Sequence, residues 1–123
     1  MEVNLALPPE ALLGDWVFEW YWKQPGVPFV EQFVADVRKK SGGHVPTART
    51  WFGYAATWTC KLAAEKAKSL DAVALAKAMQ GLVLPPEVAL MPNNPYYRIG
   101  DNQLMPTVVF SNAVLIDIPG VKG

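Results

Sequence analysis

The chain contains a single cysteine, Cys60, and a single histidine, His44, among 123 residues. No internal disulfide can form, and a four-ligand zinc site would have to be completed with carboxylates. The redox compartment is left open. His44 and Cys60 stand 16 residues apart (60 − 44), one in a Gly-Gly-His-Val-Pro connector and the other within an expected helix. That spacing assures no base beside the thiol, so nucleophilic catalysis by the pair is not expected. An excess of either charge is also missing, since 11 Lys and Arg balance 11 Asp and Glu. No net field draws nucleic acid or an anionic membrane surface, and no nucleic-acid partner is expected. No apolar run approaches the roughly 20 residues that span a bilayer. The amino terminus lacks the basic-then-apolar order of a signal peptide. If the mature protein is exported, its signal is expected upstream of Met1. Neither a Walker-type loop nor Gly-x-Gly-x-x-Gly occurs, so no nucleotide cofactor has support. The carboxylates, among them Glu19, Glu31, Asp36, Glu65, Asp71, Glu87 and Asp101, are scattered rather than paired as two-carboxylate hydrolysis requires. No catalytic residue, metal ligand or cofactor is therefore expected.

Aromatic and apolar residues are plentiful: 51% of the chain is hydrophobic and five residues are tryptophan. A chain of this length suits one domain, 1–123, with a modest core. Only 18% of it is charged, which suggests that some apolar surface is covered by something outside the chain. Three of the tryptophans fall in Trp16-Val17-Phe18-Glu19-Trp20-Tyr21-Trp22. Aromatic and β-branched residues suit a strand there, bounded by Gly14-Asp15 before and Lys23-Gln24-Pro25-Gly26 after. Period-two alternation puts residues 18, 20 and 22 on one face and 17, 19 and 21 on the other, with Glu19 toward solvent. Aromatic side chains then lie on both faces, and one set is free to line a pocket.

Residues 1–14 read as an irregular lead-in, with Pro8-Pro9 stopping a helix and Glu10–Leu13 allowing a short turn. Pro28 occupies an expected first helical position, and Phe29, Val30, Phe33, Val34 and Val37 recur at helical spacing up to Gly42-Gly43. Thr47 is the expected N-cap of the longest helix, which runs to about Lys68 with Trp51, Tyr54, Ala55, Trp58 and Leu62 as its stripe. Ser69 is expected to cap a third helix, ending at Gly81, with Leu70, Val73, Leu75 or Ala76, and Met79 turned inward. From Leu82 onward Pro85, Pro86, Pro92 and Pro95 should break any helix. Short strands are expected at Tyr96–Ile99 and in the long apolar run Pro106–Ile116.

Taken in order, these stretches resemble the C-terminal part of type I periplasmic substrate-binding proteins of ABC transporters, the leucine/isoleucine/valine-binding family. The aromatic strand ending Trp20-Tyr21-Trp22 resembles a segment that in some members is followed by an acid, where this chain has Lys23. The stretch PFVEQFVADVRKKSG, ending at Gly42, resembles the next helix of the family. TWFGYAATWTCKLAAEKAKS resembles its Pro-started long helix, anchored by Gly53-Tyr54. SLDAVALAKAMQG resembles the short helix that ends on a glycine. Arg98-Ile99-Gly100-Asp101-Asn102-Gln103 followed by Pro106–Phe110 resembles its closing pattern.

The resemblance covers about residues 14–113. It implies an α/β fold, a partial three-layer sandwich of about three helices on a few strands, corresponding to the last third of a two-lobed clamshell. It also implies a periplasmic, non-catalytic solute-binding component that hands a small organic solute, such as an amino acid, amide or aromatic acid, to a membrane permease. Trp51, with Tyr54 one turn later, matches the part of the long helix that approaches the cleft. Tyr21 and Trp22 border it if they lie at the carboxyl end of a strand. Missing strands would leave apolar faces and free edges, so a homo-oligomer with exchanged strands is expected. The alternative is a free-standing α/β interaction domain with no ligand.

Overall fold

The computed structural model describes residues 15–112 together with Pro8 and Ala11. Most of the expected lead-in, and residues 113–116 of the last expected strand, lie outside this range. Within it, β1 (Asp15–Phe18) is followed by α1 (Val30–Lys40), α2 (Ala48–Ala67), α3 (Ala72–Met79) and the single turn α4 (Pro86–Ala89). Three short strands close the order, β2 (Tyr96–Tyr97), β3 (Leu104–Met105) and β4 (Val109–Asn112). This is a mixed helix and strand architecture, as the resemblance implied.

The aromatic strand is shorter than expected. It pairs antiparallel with β4, from Asp15 opposite Asn112 to Phe18 opposite Val109, and bends at Glu19. The reason lies in the side chains that follow. The indole of Trp20 is drawn into the core, and Gln24 Nε2 donates to the carbonyl of Tyr21 at 2.6 Å, which folds residues 20–24 back on themselves. Glu19 is exposed, as expected.

α1 starts at Val30 rather than Pro28. Its cap residue Phe29 sits in the left-handed region at φ 65°, with no side-chain cap. Arg38, Lys39 and Lys40 fill the last turn, where positive charge faces the carbonyl end of the helix dipole. The chain then reverses with Gly43 N–H on Arg38 O at 2.8 Å, which Gly42 at φ 75° and Gly43 at φ 107° permit. Thr47 caps α2 as expected. Its hydroxyl accepts from Thr50 N–H at 3.5 Å, and the Thr50 hydroxyl accepts from Thr47 N–H at 3.1 Å. On the outer face of α2, Lys61 and Glu65 pair at 3.7 Å, an exposed contact of small energetic weight.

Ser69 does not cap α3. Its hydroxyl accepts from Asp71 N–H, and Asp71 is the cap, receiving Ala74 N–H at 2.9 Å. Leu70 therefore precedes the helix and is 86% exposed, and Val73 is 62% exposed, while Ala78 is buried and Met79 packs against the core as expected. Lys66, reaching from α2, donates to Ala78 O at 2.9 Å and Gln80 O at 3.4 Å, neutralising carbonyls that the end of α3 leaves unpaired.

Pro85-Pro86 starts a helical turn instead of blocking one, because a proline in the first turn gives up only an N–H that has no intrahelical partner anyway. After it, Leu84 N–H bonds Pro95 O, Tyr97 N–H bonds Leu82 O, and Gly81 N–H bonds Tyr97 O. These contacts hold β2 against the start of the Pro-rich stretch. The β2 and β3 strands form a second two-stranded sheet, so among the described residues the strands make two small sheets rather than one layer. The run from Pro106 is likewise interrupted, with no ladder between Met105 and Val109.

The turn linking β2 to β3 is tied by Arg98, whose Nε donates to Asp101 Oδ1 and Oδ2 at 3.1 and 3.2 Å while its Nη2 bonds Oδ2. Gln103 N–H adds a bond to Asp101 Oδ1 at 3.0 Å. The Arg98 hydrogen bonds, then that of Gln103, hold the carboxyl down to about 2. Because the folded value lies below the unfolded one of about 3.9, the contact stabilises above pH ~4 and is lost as pH falls toward 2. A carbon-detected NMR titration should place the Asp101 midpoint near 2, and Arg98→Ala should raise it toward about 4. A native midpoint already near 4 would remove the contact from solution.

Candidate functional site

The core gathers on α4. Trp20, Val30, Trp51, Leu84, Val88 and Leu90 are each at most 1% exposed and belong to one cluster. A helix of one turn leaves its carbonyls without partners, and here four consecutive ones are met by side chains from elsewhere. Tyr54 Oη donates to Glu87 O at 2.9 Å. Trp51 Nε1 donates to Ala89 O at 2.9 Å and Val88 O at 3.3 Å. Trp20 Nε1 donates to Leu90 O at 2.8 Å, and Gln24 Nε2 reaches the same oxygen at 3.1 Å. Two positions of α2, one turn apart, and the segment after β1 are thereby fastened to one backbone turn.

The four residues expected at a cleft fall in different places. Trp51 is 0% exposed with its N–H committed to carbonyls, so in this arrangement it offers no surface to a solute and belongs to the core. Tyr54 is half-buried and lines a groove of 420 Å³ between α1 and α2 with Phe29, Phe33, Asp36, Glu87 and Leu90. Burial, and after it the Glu87 carboxylate, push its phenol above 10. Trp22 lines a second groove, of 370 Å³, on the other side of α1, with Gln24, Pro25, Val30, Val34 and Arg38. Tyr21 is half-buried between Phe18 and Trp22, with ring centroids 6.3 and 5.9 Å away, and burial raises its phenol. Tyr21 and Trp22 are brought together by the irregular loop rather than by the end of a strand. Tyr54 is separated from them by α1.

The carbonyl cluster on α4 is the feature that sequence reasoning missed. A Pro-Pro-Glu start is itself a helix signal, with proline at the first position and an acid in the first turn. Buried tryptophans need acceptors for their N–H groups, which was the second available clue.

Among the described residues, no group of three or more His, Cys, Asp or Glu side chains is placed to hold a metal ion. No helix among them is long and apolar enough to cross a membrane. Both of these grooves are lined by apolar side chains together with charged ones, Asp36, Lys40 and Glu87 in the first and Lys23, Glu31 and Arg38 in the second. The described residues make a mixed arrangement of helices and short strands with open grooves on either side of α1.

The family follows from comparison. A family model described as periplasmic binding protein matches residues 2–110, and the chain belongs to that family. Among solved structures it is similar to an ABC-type branched-chain amino acid transporter from Rhodopseudomonas palustris, at 25% identity and a TM-score of 0.74. The match covers 96% of this chain and 30% of that one, so this chain spans under a third of the length of its structural relative. Among curated proteins no match was found.

Proposed function

We propose that this chain acts as part of the solute-binding component of an ABC-type uptake system. It would work in the periplasm without covalent chemistry, passing a small organic solute such as an amino acid, amide or aromatic acid to a membrane permease. The observation that carries this reading is the family match over residues 2–110, joined to the fold agreement over 96% of the chain. Tyr21 and Trp22, exposed in part on the segment after β1, are the residues proposed to border the solute, with Tyr54 at the groove between α1 and α2. Trp51 serves by fixing α2 to α4.

A thermal-shift panel of amino acids, amides and aromatic acids tests this directly. A ligand that binds only the folded chain stabilises it by about 2.7 kcal/mol at one hundred times its dissociation constant, so one solute class should raise the midpoint in a saturable way. Absence of any shift across the panel from a folded chain would count against solute capture by this segment alone.

A second reading, an interaction domain that self-associates, is favoured by the exposed apolar side chains. Val17, Leu70, Val73 and Ile99 are 57%, 86%, 62% and 75% exposed. Where such side chains are contiguous they mark a covered face. Light scattering at working concentration should report a homo-oligomer, with strand exchange through β1 and β4 as one route. A monomer would set this reading aside.

A further inference from the structure

The groove between α1 and α2 has a chemistry of its own. Three aromatic side chains line it, Phe29, Phe33 and Tyr54, with Phe33 and Tyr54 at 4.9 Å between centroids. Two carboxylates, Asp36 and Glu87, share the lining, and Lys40 is its positive member, one turn beyond Asp36 on α1. Gln32 donates to Asp36 at 3.1 Å and orients it. Phe29 is 55% exposed and stands on a left-handed backbone that costs a bulky residue free energy. Aromatic faces carry negative potential, and here carboxylates outnumber the ammonium group two to one.

We propose that this groove binds a small organic cation, an alkylated ammonium compound seated among the rings toward Glu87 and away from Lys40. Charge complementarity selects that occupant: a neutral molecule of the same shape gains the apolar contact and forgoes both the cation–π and the carboxylate attraction. All lining groups belong to this chain. Tyr54 is shared with the uptake reading above, but the cation site does not rest on that reading, and the solute panel and the choline titration use different probes and can fail independently.

The test is a ¹H–¹⁵N NMR titration of the chain with choline and, in parallel, its neutral isostere 3,3-dimethylbutan-1-ol, each to about 50 mM, the range suited to a weak partly exposed site. Choline should produce saturable shifts centred on Phe29, Phe33, Asp36, Tyr54 and Glu87, and the alcohol should bind several-fold more weakly. Glu87→Gln and Phe33→Leu should each weaken choline binding about two- to fivefold. Phe33 also packs edge-on against Trp20, so if its variant loses the folded spectrum, Glu87→Gln at an exposed position carries the test. Equal binding of the two probes, no saturable shift with choline, or unchanged affinity in Glu87→Gln would overturn the assignment.

Discussion

Trp51→Ala should lower the stability of the chain by about 3–5 kcal/mol, the range for deleting a large buried aromatic. A domain of this size has only some 5–15 kcal/mol in total, so the variant should be close to unfolding at physiological temperature. Two losses combine. The indole is fully buried in the central cluster, so its removal opens a cavity between α2 and α4. Its N–H is also the donor to Ala89 O and Val88 O, which are then left without that partner. Trp51→Phe separates the two: most of the ring remains, and the cost should fall to about 1–3 kcal/mol for the orphaned carbonyls. Urea unfolding followed by far-ultraviolet circular dichroism measures both, since it does not depend on the tryptophan removed. If Trp51→Ala costs less than about 1 kcal/mol, Trp51 is not the core residue described here and a solute-facing role is open to it again.

The burial of Trp51 shows where sequence reading succeeds and where it stops. Helical spacing correctly put Trp51, Tyr54, Ala55, Trp58 and Leu62 on one stripe, and Thr47 marked the helix start through its hydroxyl. Those are local properties, decided within a turn or two of chain. What a stripe packs against is not local: Trp51 meets carbonyls 37 and 38 residues away, and Trp20 meets one 70 residues away. The same limit explains the aromatic strand. Composition favoured an extended run to Trp22, yet its ladder ends at Phe18, and the chain beyond bends so that the Trp20 indole is buried and reaches Leu90 O. On α3 the error was a choice between two good caps two residues apart, Ser69 and Asp71, which leaves Leu70 outside the helix, while Met79 packs against the core as expected. The family was legible because order and spacing along the chain survive such local shifts. The groove between α1 and α2 was not, because it joins α1 to Glu87 and Leu90, far from it in sequence, and the groove of Trp22 was not, because it depends on how residues 22–25 fold back beside α1.

Trp20 should show the second large effect, and it bears on function because it fixes the segment that carries Tyr21 and Trp22. Its side chain is 0% exposed, packs edge-on against Phe33 at 5.8 Å and donates to Leu90 O. Trp20→Ala should cost about 3–5 kcal/mol, like Trp51→Ala. The finer result is in the hydrogen bond. Leu90 O has two donors, Trp20 Nε1 and Gln24 Nε2, so losing either one alone leaves the oxygen satisfied. Gln24→Ala and Trp20→Phe should therefore each lose only about 0.5–1.5 kcal/mol of hydrogen bonding. The double variant strands a buried carbonyl and should exceed the sum of the singles by about 1 kcal/mol or more. Amide hydrogen exchange supplies a second readout: residues 20–24 should lose protection in the double variant before α2 does, because the tether to α4 is then gone while the α2 core contacts remain. Additive singles with uniform protection would mean that the loop is held by apolar packing alone. Coupled singles with selective loss would make Leu90 O the point at which the segment after β1 is anchored, and with it any solute contact made by Tyr21 and Trp22.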